Sequence, residues 1–306
     1  MDKSATSPIP RNIWMLWLQG FEKAPPLVQT CVTSWRELNS DWNLHLLTQE
    51  TLADYLEADF VEDLFSAQLP NSKIANIARL ALINRHGGVW ADADVYCVKP
   101  LDEWIDQAAA SGFFAFRFEE ADAWLKDESV PLINRCLART DDRVMANWFL
   151  AGHPNNFIAG EYVSRHLAFL KLALSARKKS LGFLRNSVIS LMKRNAFLAS
   201  MMGSEAFVTR VGRYPYFIFH YHFANLLRHD YQFRVAWEKV EPRSARAALS
   251  FSKLLGRPVD AGFKAAIHGE GDSPVYKFHW RRTKALQQGT ETRFGWLQEQ
   301  AKSSGS

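Results

Sequence analysis

Cysteine is scarce in this chain, with three among 306 residues. Cys31, Cys97 and Cys136 are widely spaced and form no CxxC pair, which excludes a disulfide-framed small domain and reads most simply as reduced thiols in a cytoplasmic protein. Long hydrophobic runs are missing too. The longest, such as Tyr214 to Tyr221, fall far short of the ~20 residues of a membrane-spanning helix. Met1 to Arg11 lacks the apolar stretch of a signal peptide, so the protein is expected to stay in the cytoplasm. Repeats and low-complexity tracts are absent. With 47% apolar and 23% charged residues, general disorder is excluded as well.

Acidic residues are missing from one stretch in particular. Between Tyr162 and Ser204 there are eight basic residues (Arg165, Lys171, Arg177, Lys178, Lys179, Arg185, Lys193 and Arg194) and no Asp or Glu. The net charge of +5 is therefore +8 in this segment and −3 elsewhere. Leucines and phenylalanines interleave the cations at helical spacing. Such a segment fits the surface of anionic lipid or a solvated helical face on its own domain. No nucleic-acid motif accompanies the charge, so nucleic acid is not an expected partner.

What is present alternates strand and helix. Ile13 to Leu18 reads as a buried strand, Pro25-Pro26 opens a helix over Leu27 to Leu38, and Trp42 to Leu47 alternates as a second strand. Glu50 to Phe65 has a helical pattern, and Asn71 or Ser72 is placed to cap the next helix, which ends at Gly87. Gly88 to Val98, Gly112 to Phe118, Tyr216 to Phe223 and Val275 to Trp280 read as strands or strand-like segments, and Thr290 to Ser306 as a polar, frayed tail. This order predicts an α/β fold, a Rossmann-like, mostly parallel sheet flanked by helices, with a helical basic segment.

The sharpest local feature is Gly87-Gly88-Val89-Trp90-Ala91-Asp92-Ala93-Asp94-Val95. On a strand, Asp92 and Asp94 would point to the same side. Two adjacent carboxylates in an apolar strand repel unless a divalent cation or a wet cleft faces them, or the strand end reaches solvent. Hard oxygen ligands suit Mg²⁺ or Mn²⁺. In the preceding helix, Lys73, Asn76 and Arg79 fall at i, i+3 and i+6 on nearly one stripe. That stripe belongs beside the carboxylates at the C-terminal edge of the sheet, where open α/β sheets bind ligands. His220 and His222 alternate on the expected strand 216–223, as cleft-wall histidines or as a metal pair.

Several segments in order, across residues 8 to 285, resemble the bacterial capsular polysaccharide synthesis family, placed with the sugar transferases of glycosyltransferase family 32. They are Ile9-Pro10-Arg11-Asn12-Ile13-Trp14, Trp17-Leu18-Gln19-Gly20, Lys73 to Arg79, Gly87 to Trp90, Asp92-Ala93-Asp94, Asn147-Trp148-Phe149, Tyr214 to Tyr221 and Tyr276-Lys277-Phe278-His279-Trp280. The resemblance implies a GT-A fold and a retaining, metal-dependent transferase using Mn²⁺ or Mg²⁺ and a nucleotide sugar, most often a UDP-sugar. It would move a hexose or N-acetylhexosamine to a growing capsular or surface polysaccharide or oligosaccharide.

By position in that family, Asp94, Asp92 and His279 are the metal candidates, and Asp92, Asp94 and Arg79 the catalytic ones. Trp14, Trp17, Gln19, Asn76, His279 and Trp280 would join Arg79 and Asp92 at the donor, with Asn147, Trp148 and His220 on the acceptor side. Residues 8–285 are expected as one domain, with a nucleotide-sugar half (8–110), an acceptor half (111–285) containing the basic segment 162–204, and a polar tail (286–306). Relatives carry Ser-Asp where this chain has Ala75-Asn76, which exchanges a charged acceptor for a neutral amide. An impaired nucleotide-sugar or carbohydrate binder and a membrane-surface scaffold are the alternatives. The enzyme is expected on the inner face of the cell membrane, with a lipid-linked acceptor.

Overall fold

The computed structural model describes residues 7–126, 129–137, 143–176, 184–211, 215–283 and 291–303. Three early strands build one half of its main sheet. They are β1 (Asn12–Leu16), β2 (Asn43–Leu47) and β3 (Gly88–Ala91). Both β2 and β3 pair with β1 in parallel. The close approach of β3 to β1 requires glycine: a Cβ on Gly88 would lie 2.4 Å from the Asn12 carbonyl, and its φ is +93°. Two later strands extend the sheet, β5 (Phe113–Arg117) and β6 (Met145–Gly152), giving the order β2-β1-β3-β6-β5. Only β6 runs against the others. The fold is thus α/β with a parallel-rich sheet.

Helices cover it. α1 (Pro26–Leu38) begins with Pro26 at its first turn and buries Val28, Val32 and Trp35. α3 (Asn71–His86) is buried nearly all round, through Ile74, Ile77, Leu80, Leu82 and Ile83, against β6 and the helix Phe157–Ser175. Burying such side chains stabilises the layer by roughly 1.5–3 kcal/mol apiece. A second, two-stranded sheet pairs β4 (Val95–Cys97) antiparallel with β7 (Val275–Lys277). Its register sets Val95 opposite Lys277, which brings a segment late in the sequence against the turn that follows β3.

Several sequence expectations are corrected. Gly88 to Val98 is not one strand: Asp92-Ala93-Asp94 is a turn between β3 and β4, which belong to different sheets. Glu50 to Phe65 is broken into a short 3-10 turn, Thr51–Asp54, and α2 (Ala58–Ser66). Pro70 occupies the cap position of α3, with no side-chain cap from Asn71 or Ser72. The segment read as a strand over 216–223 is largely helical, in Ile218–His229. In the described part of the tail, Arg293–Ser303 is a helix rather than a frayed end; its Phe294, Trp296 and Leu297 are buried, and it packs on α1.

In the basic segment, Arg165 pairs with Glu161 and Asp230 at 2.8 and 2.6 Å, and Lys171 with Asp63 at 2.6 Å. Arg177, Lys178 and Lys179 lie outside the described residues. No helix among the described residues is long and apolar enough to cross a membrane. All three cysteines are free thiols.

Candidate functional site

The C-terminal ends of β1 and β3 and the start of the antiparallel β6 meet at one edge of the sheet. A cleft of about 1240 Å³ opens there. The α3 stripe forms one wall, and Lys73, Asn76 and Arg79 all line it. Trp17 and Gln19 follow β1 into the cleft, Asp92 and Asp94 follow β3, and Lys277 ends β7, with His279 and Trp280 just beyond it. The mouth is framed by Trp17 and Trp280, packed edge to face with ring centroids 5.2 Å apart. The charge on the walls is strongly positive, with Lys23, Arg143, Lys253, Arg281 and Arg282 added to the cations already named.

At the centre, every oxygen of the two carboxylates meets a donor. Asp92 Oδ1 accepts from the Trp90 indole at 2.9 Å and pairs with Arg79 Nη2 at 3.2 Å. The Lys277 ammonium sits 3.5 Å from Asp92 Oδ2 and is in direct contact with Asp94 Oδ1. Asp94 Oδ2 takes the Trp280 backbone N–H at 3.4 Å. The ladder explains the meeting, since the Phe278 N–H donates to the Asp94 carbonyl at 2.9 Å and so holds Lys277 against the turn. Burial alone pulls the Lys277 ammonium down, but Asp94 and Asp92 outweigh it and leave it raised, so it is charged at neutral pH.

Arg79 is fixed by four neighbours. It donates to the Ala75 carbonyl at 3.0 Å and to the Asn147 carbonyl, pairs with Asp92, and lies 5.1 Å over the Trp90 ring. Burial lowers its pKa and Asp92 opposes that. Asn147 Nδ2 donates to Asn76 Oδ1 at 2.9 Å. Lys73 donates to the Tyr216 carbonyl, and its pKa is lowered to about 8 by burial and then by Arg79. His220, also lining the cleft, donates from Nδ1 to the Met145 carbonyl at 2.9 Å. Burial and Arg143 hold His220 well below the ordinary imidazole value, so it is neutral.

The structure therefore brings Asp92, Asp94, Arg79, Asn76, Trp17, Gln19, His279, Trp280, Asn147, Trp148 and His220 to one cleft. Trp14 is not among them. It is buried, donating to the Gly87 carbonyl at 2.9 Å and stacking on His45. Nor do His220 and His222 form a metal pair. Two residues apart on a helix they face different ways: His222 turns from the cleft to meet His166, Nδ1 to Nδ1 at 3.1 Å. Lys277 and Arg143 are cleft residues that the sequence reading gave no role. Lys277 lay inside a quoted motif, and nothing in the spacing linked it to Asp94.

The divalent ion implied by the family resemblance does not fit the site as it stands. All four oxygens of Asp92 and Asp94 are engaged by donors, and an ammonium already bridges the pair. A divalent cation ~4 Å from that ammonium would be repelled by about 8 kcal/mol at an effective dielectric near 20. Among the described residues, no three His, Cys, Asp or Glu side chains gather as a ligand set. His279 is exposed at the cleft mouth.

A family model described as capsular polysaccharide synthesis protein matches residues 1–293, and the chain belongs to that family. It is 26% identical over 104 residues to the O-glycosyltransferase braB of Annulohypoxylon truncatum, covering 30% of this chain and 25% of that one. It is 28% identical over 115 residues to the initiation-specific alpha-1,6-mannosyltransferase of Candida albicans, covering 34% and 29%. The chain thus spans about a quarter to three-tenths of the length of these relatives. Among solved structures, the ligand-free glycosyltransferase domain of the YGT toxin is similar over 78% of this chain and 81% of its own, at 11% identity and a TM-score of 0.39.

Proposed function

We propose that this protein is a glycosyltransferase whose cleft binds a nucleotide sugar, a UDP-sugar in the first instance, and passes a hexose or N-acetylhexosamine to a saccharide acceptor. One observation carries the reading: an Asp-Ala-Asp turn at the C-terminal edge of an α/β sheet, faced by Arg79 and Lys277 in a cleft whose walls are otherwise basic. A diphosphate finds its counter-charges there, and family membership supports the same chemistry.

In the transfer, the bond between the sugar C1 and the β-phosphate oxygen breaks, and its electron pair stays on that oxygen. The acceptor hydroxyl oxygen bonds to C1, and its proton passes to the departing phosphate. The products are a glycosylated acceptor and a nucleoside diphosphate. Attack from the face the phosphate leaves retains the configuration at C1. Arg79 and Lys277 stabilise the charge that grows on the departing phosphate, in a cleft held rigid before the substrate arrives. Trp17 and Gln19 form the base wall, and Trp280 closes the mouth. Asn76, held by Asn147, presents a neutral amide to the donor sugar, while Trp148 and His220 face the acceptor.

Residues 162–204 are proposed to hold the enzyme at the inner leaflet, near a lipid-linked acceptor of surface polysaccharide synthesis. The test of the activity is nucleotide release from a panel of UDP-, GDP- and dTDP-sugars, with and without Mn²⁺, comparing wild type with Asp92→Asn. Slow hydrolysis of one donor that the substitution abolishes is the expected result. Release that is unchanged by the substitution overturns the assignment of the site.

A further inference from the structure

Among the described residues, Lys277 is the one cleft cation that pairs with both carboxylates of the Asp92-Ala93-Asp94 turn. Its position is built rather than incidental. The β4–β7 ladder places it, the Phe278 N–H to Asp94 carbonyl bond locks the register, and its side chain is only 12% exposed. Arg79, 5% exposed on its side chain, completes the group from α3. Two negative and two positive side chains thus sum to zero before any substrate enters.

Divalent metals serve sugar transfer by holding a diphosphate against acidic side chains and accepting the charge of the leaving group. That role needs a cation in contact with both the carboxylates and the phosphate. From the geometry we infer that Lys277 is the resident cation of this site: it bridges Asp92 and Asp94 and presents its ammonium to the diphosphate, with Arg79 as the second charge, so that nucleotide binding and transfer need no added metal. The inference rests on the cleft being a nucleotide-sugar site, as proposed above. An ammonium holds the phosphate as a point charge with three donors. It has enough donors for one bond to each carboxylate and one to a phosphate oxygen.

The experiment is a calorimetric titration of uridine diphosphate and guanosine diphosphate into the purified protein, in chelator and in Mn²⁺. Manganese binding to the protein alone is followed in parallel by the loss of the free Mn²⁺ paramagnetic resonance signal. For the wild type, the affinity in chelator should match that in Mn²⁺ within about threefold, and the protein alone should hold no Mn²⁺ that Asp94→Asn removes. Lys277→Gln should bind at least tenfold more weakly in chelator and regain affinity in Mn²⁺. Because that variant leaves two carboxylates facing each other, Lys277→Gln with Asp94→Asn provides a charge-balanced second variant, expected to be weak in both conditions.

Wild-type binding that is tenfold or more tighter in Mn²⁺, with a manganese site lost in Asp94→Asn, overturns the inference and leaves the transferase reading intact. Unchanged binding by Lys277→Gln in chelator overturns it as well. Binding of neither nucleotide under either condition overturns the transferase reading, and the counter-ion role falls with it.

Discussion

Replacing Asn76 by Asp adds one negative charge to the α3 stripe without changing the size of the side chain. In the structure the Asn76 oxygen accepts from Asn147 at 2.9 Å, and the residue is 6% exposed. The substituted carboxylate would keep that acceptor. Lys73 and Arg79 lie one turn to either side on the same face, so the new charge stands about 6 Å from each. At an effective dielectric near 20 that is an attraction of about 3 kcal/mol per cation. Burying a carboxylate costs several kcal/mol in return, so net stability should change by no more than ~2 kcal/mol. The decisive quantity is the titration of Lys73, whose pKa is lowered to about 8. An attraction of ~3 kcal/mol raises it by roughly two pH units, to about 10.

In the wild type, the cleft loses one positive charge as pH rises through about 8, and affinity for an anionic nucleotide falls there. In Asn76→Asp the fall should come near pH ~10. Over the same range wild-type stability should rise with pH. The unfolded Lys73 keeps its proton to about 10.5, whereas the folded one releases it at about 8, and such a difference favours the folded state as protons leave. Titration calorimetry of a nucleoside diphosphate at several pH values reads the two midpoints. Equal midpoints in the two proteins, or no alkaline fall in the wild type, would refute the stripe's electrostatics.

Further outcomes follow from other contacts. Arg79→Met removes donors from the Asn147 and Ala75 carbonyls and from Asp92. It should lose about 3 kcal/mol of stability by chemical denaturation and 10²–10³-fold in donor turnover, and turnover within threefold of wild type would remove Arg79 from the site. Three buried histidines set the acid limit. Burial lowers His166, His220 and His222, with His222 at about 3. Their neutral forms are favoured on folding, so stability should fall as pH drops below 6.5, by up to ~4 kcal/mol per pH unit for the three. The double variant His166→Phe, His222→Phe should flatten that slope in urea melts at pH 7.5, 6.5 and 5.5. Neutralising Arg177, Lys178 and Lys179 to Gln should weaken sedimentation with anionic vesicles in low salt, and an unchanged bound fraction would end the lipid role.

Much of the scaffold was legible because local signals and final structure agree. The apolar run of β1, the Pro25-Pro26 opening of α1 and the glycine pair after α3 all mark what the chain does there. The carboxylate pair was legible as a feature of a ligand cleft, but its geometry was not. Alternation through Ala91 to Val95 reads as one strand, and only the assignment of β3 and β4 to separate sheets makes it a turn. Ile218–His229 misleads for a related reason. It is rich in aromatics because it is buried on most of its circumference, against Phe157–Ser175, Ala196–Met202 and Tyr231–Glu238, and that burial erases the helical period. Lys277 was illegible as a partner of Asp94 because 183 residues separate them and a ladder register, which no local pattern encodes, joins them.

The most direct test of the account is a crystal structure of the protein with uridine diphosphate, grown in chelator. The account predicts nucleotide density in the cleft, the base against Trp17 and Gln19, and the diphosphate within hydrogen-bond distance of Arg79 and the Lys277 ammonium. Density outside that cleft, or a diphosphate turned away from the Asp92-Ala93-Asp94 turn, would contradict it.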